Sequence, residues 1–250
     1  MKKFFTKKVI SAAIAVLLVI VSIGGTISIN YLLKTSGEAQ HTNDYYYTQA
    51  VKDAMTIEPD EVLPVVNLTK DSDMVTINDE NEVLLVTWHK YPDSYIVGQD
   101  VTLKYGEVWT FTDKEIVKWY EENKSGVEDW ELRFEQLIGL PADTEYTHFT
   151  AMWVPLDSIK RPAYSYDVTK GISVTYFDDN ADQSFVEWFD SNIIDSYFNT
   201  SYPWTRLGYT YDWADNETEY GLSEFLVEKG TVAKVEFTYT TEEFIDYLES

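Results

Sequence analysis

Arg206 and Glu224 frame the part of this chain best suited to chemistry. They lie 18 residues apart within residues 202–224, YPWTRLGYTYDWADNETEYGLSE. A guanidinium offers a planar fork for a carboxylate or phosphate that an ammonium lacks. A glutamate that shares a cleft with such a cation can act as acid, base or electrostatic partner. Trp204, Tyr209, Tyr211 and Trp213 stand around them, and such rings offer large faces with a polar handle. The stretch follows neither a helical nor an alternating period, so a scaffold has to hold it. It is expected to build an aromatic-rich pocket. Arg133 and Arg161, the other two arginines, sit in the phrases LRFEQLIGLP and IKRPAY and are further candidates for gripping an anionic group. The plainer reading of each arginine is an ion pair that pins a loop, since 43 acidic residues are present.

Other chemistries find less support. The chain has no cysteine, which removes disulfides, thiolate catalysis and Cys-ligated metals together. The three histidines, His41, His89 and His148, form no His-Glu-x-x-His pair, and no metal site is expected. His148 remains a candidate general base beside Glu145 and Tyr146, against a plain structural histidine at a strand end. Asp178, Asn180 and Asp182 open like a calcium loop, but Gln183 and Phe189 occupy the positions that need Gly and Glu,. They read as a solvated turn and a helix N-cap. Neither a serine-hydrolase elbow nor a phosphate-cradling glycine loop is present. No cofactor can be named.

The elements that must position these residues alternate without a strict βαβ rhythm. EVLLVTW, residues 82–88, is a continuous apolar run of strand length. Further strands are expected at 101–104, 107–111, 148–154, 172–177, 224–227 and 232–239, the last two joined as a hairpin by Lys229-Gly230. Thr112 with Glu115, and Thr240 with Glu243, spell capping boxes that open helices. Helices are also expected around Trp130 to Ile138 and from Ser184 onward, where Phe185, Trp188, Phe189, Ile193 and Tyr197 recur at helical spacing. The class is α+β: a single mixed, mainly antiparallel sheet with peripheral helices.

Residues 1–8 carry four lysines, and residues 9–33 then run 25 residues without a charge. As a helix that run measures about 37 Å, enough for a bilayer core of about 30 Å. The lysine bias places a short tail, residues 1–8, in the cytoplasm. Residues 9–33 are therefore expected to span the membrane as a signal anchor, 34–58 to be a polar tether, and 59–250 to be the extracytoplasmic domain. The rival is a cleaved signal peptide, which would make the domain secreted. All 43 acidic residues lie beyond Lys34, whereas five of the 19 lysines and arginines do not, so the exported part carries −29. That field disfavours nucleic acid and anionic headgroups and attracts cations.

The phrases TWHKYPDSY, GEVWTFT, LRFEQLIGLP, HFTAMWV, RPAY, YPWTRLGYTYDW and GLSEFLV together resemble a family of exported bacterial proteins of unknown function, from about Val83 to Thr238. Members of that family often carry cysteines that this chain lacks, and the family implies no activity. Separately, SEFLVEKGTVAKVEF is similar to the closing segment of ADP-ribosyltransferases. That similarity places Glu224 where their glutamate acts on the nicotinamide ribose of NAD. This chain departs from that pattern at Leu222, where Arg-specific members carry a second acid, and at His89-Lys90 in the first strand.

Two function classes follow: a membrane-anchored module binding a cell-wall, peptide or small-molecule ligand, or an extracytoplasmic enzyme using Glu224, Arg206 and His148. The sequence leaves oligomeric state undecided. The charge balance carries a prediction: the exported part will not retain DNA or RNA fragments on a filter at physiological salt. Salt-sensitive micromolar retention would contradict it.

Overall fold

The structure, a computed structural model, describes residues 43–216 and 218–250. The expected span at 9–33 lies outside the described residues. Among the described residues no helix is long and apolar enough to cross a membrane. One compact unit runs from Tyr46 to Ser250. Residues 46–58, expected in the tether, belong to this unit. Residues 43–53 form helix α1, and Ala50, Val51 and Ala54 are buried. Small side chains among polar ones are enough to seat a helix closely.

The class is α+β. Strand β1 (Glu82–His89) runs through the middle of a seven-stranded sheet. The others are β2 (Asp100–Thr102), β3 (Val108–Thr112), β4 (His148–Pro155), β5 (Ile159–Lys160), β8 (Phe225–Val227) and β9 (Val232–Thr240). Their order is β2-β9-β4-β1-β3-β8-β5, and each pairing is antiparallel. A small second ladder joins β6 (Tyr209–Tyr211) to β7 (Tyr220–Ser223).

Strand β1 reads as an unbroken apolar run because both of its faces are covered. Leu84, Val86 and Trp88 point into one cluster, with Ile116 and Tyr120 of α2 (Asp113–Asn123), Phe134 and Leu137 of α3 (Trp130–Leu137), and Phe244 and Leu248 of α5 (Thr241–Leu248). Val83 and Leu85 point the other way, onto Leu68, Val75, Leu103, Phe225 and Val227. A third cluster joins Phe185 and Phe189 of α4 (Gln183–Ile194) to Ala50, Ala54, Trp204, Tyr211 and Trp213.

Three local expectations are corrected. Strands β8 and β9 do not form a hairpin; β3, β1 and β4 separate them. Four strand steps would measure about 19 Å in a flat sheet, whereas the five residue steps from Val227 to Val232 reach at most about 18 Å. The sheet must curl, and the cluster around Val83 and Phe225 fills the inside of the curl.

The strand expected at 172–177 is absent. Ile172 makes one bridge, to Pro64, and proline has no N–H with which to extend a ladder.

Helix α2 does start after Thr112, but without its capping box. The Glu115 carboxylate instead accepts from Ser223 N at 2.9 Å, Ser223 Oγ at 3.0 Å and the Tyr220 hydroxyl at 3.1 Å. Three tertiary donors outweigh one local cap. The Thr240–Glu243 box forms as expected, and Asp182 caps α4 through Ser184 N at 2.9 Å.

At Gly208 the backbone is left-handed, φ +89°, and a Cβ there would stand 2.4 Å from Arg161 Cδ and 2.9 Å from Cγ. Gly208→Ala should cost about 2–4 kcal/mol, combining backbone strain with a clash against a side chain that has no room to retreat. Gly98→Ala supplies the contrast, with φ +78° and nothing within 4 Å of its Cβ. It should cost only the backbone strain, about 1 kcal/mol. Urea unfolding of both variants checks the difference.

Candidate functional site

The arginines named from sequence are all committed to the fold. Arg133 places its fork on Asp212, Nη1 to Oδ1 at 3.0 Å and Nη2 to Oδ2 at 2.6 Å, and its guanidinium lies 4.6 Å from the Trp119 ring centroid. Arg161 is fully buried and donates to the carbonyls of Val66 at 2.7 Å and Lys170 at 3.1 Å. It lies over the Phe225 ring, and burial draws its pKa down to about 10. Arg206 has a left-handed backbone, φ +63°, donates to the Ala54 carbonyl at 2.8 Å and packs over Tyr197. The tight turn that presents it is tied by Thr205 Oγ1, which donates to the Tyr209 carbonyl at 2.6 Å and accepts from Leu207 N at 3.2 Å.

Glu224 does not pair with Arg206. Its backbone N–H donates to the Gly208 carbonyl at 3.0 Å. Its enclosed carboxyl is pushed far above the usual range by burial, which the nearby Trp204 indole and Arg161 only partly oppose. Arg206 and Glu224 both act electrostatically on the Tyr197 hydroxyl, so they share a neighbour without sharing a cleft. His148 opens β4, three strand positions from β8. Its Nδ1 lies 2.8 Å from Thr147 Oγ1. The sequence candidates therefore do not converge on one centre.

The aromatics are mostly core. Trp204 is buried and donates to the Pro162 carbonyl at 3.2 Å; Trp213 donates to the Leu140 carbonyl at 2.7 Å. Tyr209 donates to the Glu61 carbonyl at 2.9 Å. Tyr209 and Trp213 nevertheless help to wall a cavity of about 510 Å³. The wall includes Tyr46, Leu63, Tyr209, Tyr211, Trp213 and Tyr220, with Asp60, Glu61, Asp215 and Glu219 supplying charge. A neighbouring hollow of about 340 Å³ shares Gln49, Tyr211 and Glu219 with it and adds Lys52, Asp53 and Glu58. Among the described residues, Lys52 is the one basic residue lining either hollow. Glu224, Arg206, Arg161 and Arg133 line neither.

Between the hollows, carboxylate oxygens of Asp53, Glu61 and Glu219 lie within 4.8 Å of one another. The Tyr211 hydroxyl donates to Asp53 Oδ2 at 2.9 Å. Burial, and then Glu219 beside it, raises the Glu61 pKa to about 7. Burial raises Glu219 as well, while Glu61 donates to it, so the pair holds a shared proton,. Hard oxygens grouped in this way are the residues of the fold that could hold a divalent cation, with water completing its shell, or an ammonium group. Neither a nucleophile with an adjacent base nor a phosphate cradle is part of the arrangement.

Sequence reading missed Asp53 and Glu61 because Asp53 falls in the expected tether and Glu61 just after it, both more than 150 residues before Glu219. The one signal was indirect: carboxylates in a polar segment next to Tyr45-Tyr46-Tyr47, which has reason to pack. Comparisons with protein-family models, with curated proteins and with solved structures find no match to this chain.

The shared proton carries a prediction. The folded pKa of Glu61 exceeds the ordinary carboxylate value of 4.5. The stability it contributes is thus complete below about pH 4.5 and lost as pH rises through about 7. In Glu219→Gln the repulsion from Glu219 disappears while the burial remains. Glu61 should then titrate below 7 but still above 4.5, and the stability lost between pH 5 and pH 8 should shrink. Carboxyl NMR titration and urea unfolding at the two pH values check this.

Proposed function

We propose that this chain is a membrane-anchored extracytoplasmic binding module, anchored by residues 9–33, whose ligand sits in the cleft between α1 and residues 209–220. The observation that carries this reading is the 510 Å³ cavity, walled by the rings of the central stretch and rimmed by carboxylates. Its size falls within the range of small-ligand pockets, about 300–1,000 Å³. The aromatic side chains of Tyr209, Tyr211, Trp213 and Tyr220 in the wall favour a ligand with an apolar face, such as a sugar ring or peptide side chain. Asp60, Glu61, Asp215 and Glu219 favour a positively charged group on that ligand. A free amine beside a sugar or short peptide satisfies both requirements. Amine-bearing cell-wall muropeptides are therefore the first ligands to test.

Calorimetric titration of the full chain in detergent with an amine-bearing muropeptide is expected to give saturable binding. N-acetylating the ligand amine should abolish it. Glu219→Gln should weaken binding about tenfold, in keeping with the loss of a charge-assisted hydrogen bond worth about 1.5–3 kcal/mol. Absence of binding by the wild-type chain, or equal affinity of the acetylated ligand, would remove the proposal.

A further inference from the structure

Three large apolar side chains stand in the open along the far end of α4. Ile194 is 56% exposed, Phe198 71% and Tyr202 38%. Ile194 ends the α-helix, and Phe198 lies four residues on in the π-helical turn Asp195–Asn199. Tyr202 then folds back, its N–H donating to the Ser196 carbonyl at 2.6 Å. The turn is clamped from inside, because the Tyr197 hydroxyl donates to the carbonyls of Ala54 and Trp204 at 2.8 and 2.5 Å. With Tyr197 directed inward, its neighbour Phe198 is held outward.

Further phenols lie near this face. Tyr202 is close enough to the half-buried Tyr146 to act on it electrostatically, and Tyr91, itself 59% exposed, acts likewise on Tyr146. Aliphatic and phenyl groups bordered by phenols make up a composition that sits at a membrane–water boundary.

We propose that the domain rests on the lipid surface through this face, with Ile194, Phe198 and Tyr202 entering the headgroup region. The inference rests on the reading that residues 9–33 anchor the chain. From Leu33 to Asn43, where α1 begins, there are 10 residue steps, which span at most about 36 Å when fully extended. Tyr47 packs against the cluster that holds Tyr197, and the Tyr197 hydroxyl donates to the Ala54 carbonyl just after α1, so the exposed face lies beside the helix with which the described chain begins. Tethering at that range supplies a high effective concentration, and a contact too weak to hold a free domain becomes populated. The −29 charge of the exported part opposes attraction to anionic lipid, so apolar insertion is the driving term.

The absence of cysteine from the chain makes a site-specific probe direct. Asn199→Cys, next to Phe198, carries an environment-sensitive fluorophore in the full chain reconstituted into phosphatidylcholine vesicles. The label is expected to shift to the blue and to be quenched by lipids spin-labelled near the headgroup. Ile194→Ser with Phe198→Ser should lose most of that quenching with an unchanged thermal melt, since both side chains are solvent-facing. A label at Tyr105→Cys, whose native side chain is 97% exposed, should remain water-like. A chain that floats with the vesicles while its 199 label stays in water, or that is quenched at 105 instead, overturns this inference and leaves the anchor standing. A chain that does not float with the vesicles overturns both. A blue shift without lipid that grows with protein concentration would assign the face to a second copy of the chain and overturn lipid contact.

Discussion

A single buried cation organises the middle of this fold. Arg161 has no exposed surface, yet it keeps its charge in a place where desolvation is expensive,. It does so by donating to the carbonyls of Val66 and Lys170, lying over Phe225, and standing within reach of Glu115, Glu224 and Asp167. The guanidinium therefore ties together four stretches that are distant in sequence. Lysine could not do the same, because one ammonium cannot present a planar fork and stack on a ring together. The glycine at 208 follows from this arrangement, since the Arg161 side chain occupies the space where any Cβ would stand.

The two carboxyls nearest that cation solve their burial differently. Glu115 accepts three hydrogen bonds from Ser223 and Tyr220, which partly offset the burial that raises its pKa. Glu224 is left to burial, and its carboxyl is driven toward the neutral form. A neutral acid next to a charged arginine is consistent with a core that holds fewer charges than its residue list suggests. The same economy governs Arg133 and Asp212, where a bidentate pair stacked on Trp119 pins the loop ahead of the cleft.

The cleft is what remains on the outside once this core is packed. Trp204, Tyr209 and Trp213 spend their polar handles on carbonyls; Trp204 and Trp213 pack in the cluster with α4 and α1, and Tyr209 stacks on Tyr220. Tyr209, Tyr211, Trp213 and Tyr220 line the hollow, joined by acidic side chains brought from α1, from residues 58–61 and from the approach to β7. Carboxylates that would be dispersed on a surface are pressed together there, and Glu61 and Glu219 share a proton because burial, and then their mutual repulsion, disfavours full ionisation,.

The class, the central strand, the helices at 113–123, 130–137, 183–194 and 241–248, and the unusual density of residues 202–224 were legible from the sequence, because each is written in local terms. Apolar runs, helical spacing and the Thr240–Glu243 box act over a few residues, and local energies decide them. The capping box at Thr112, the strand at 172–177 and the hairpin at Lys229-Gly230 were written just as clearly and are not built. In each case a tertiary partner or constraint overrode the local preference: three donors for Glu115, a proline across from Ile172, and a curled sheet separating β8 from β9. The cleft belongs wholly to the second kind. Asp53, Glu61 and Glu219 become neighbours only when α1 packs against the central stretch. Local patterns cannot encode that meeting, because its energy comes from apolar contacts between segments more than 150 residues apart.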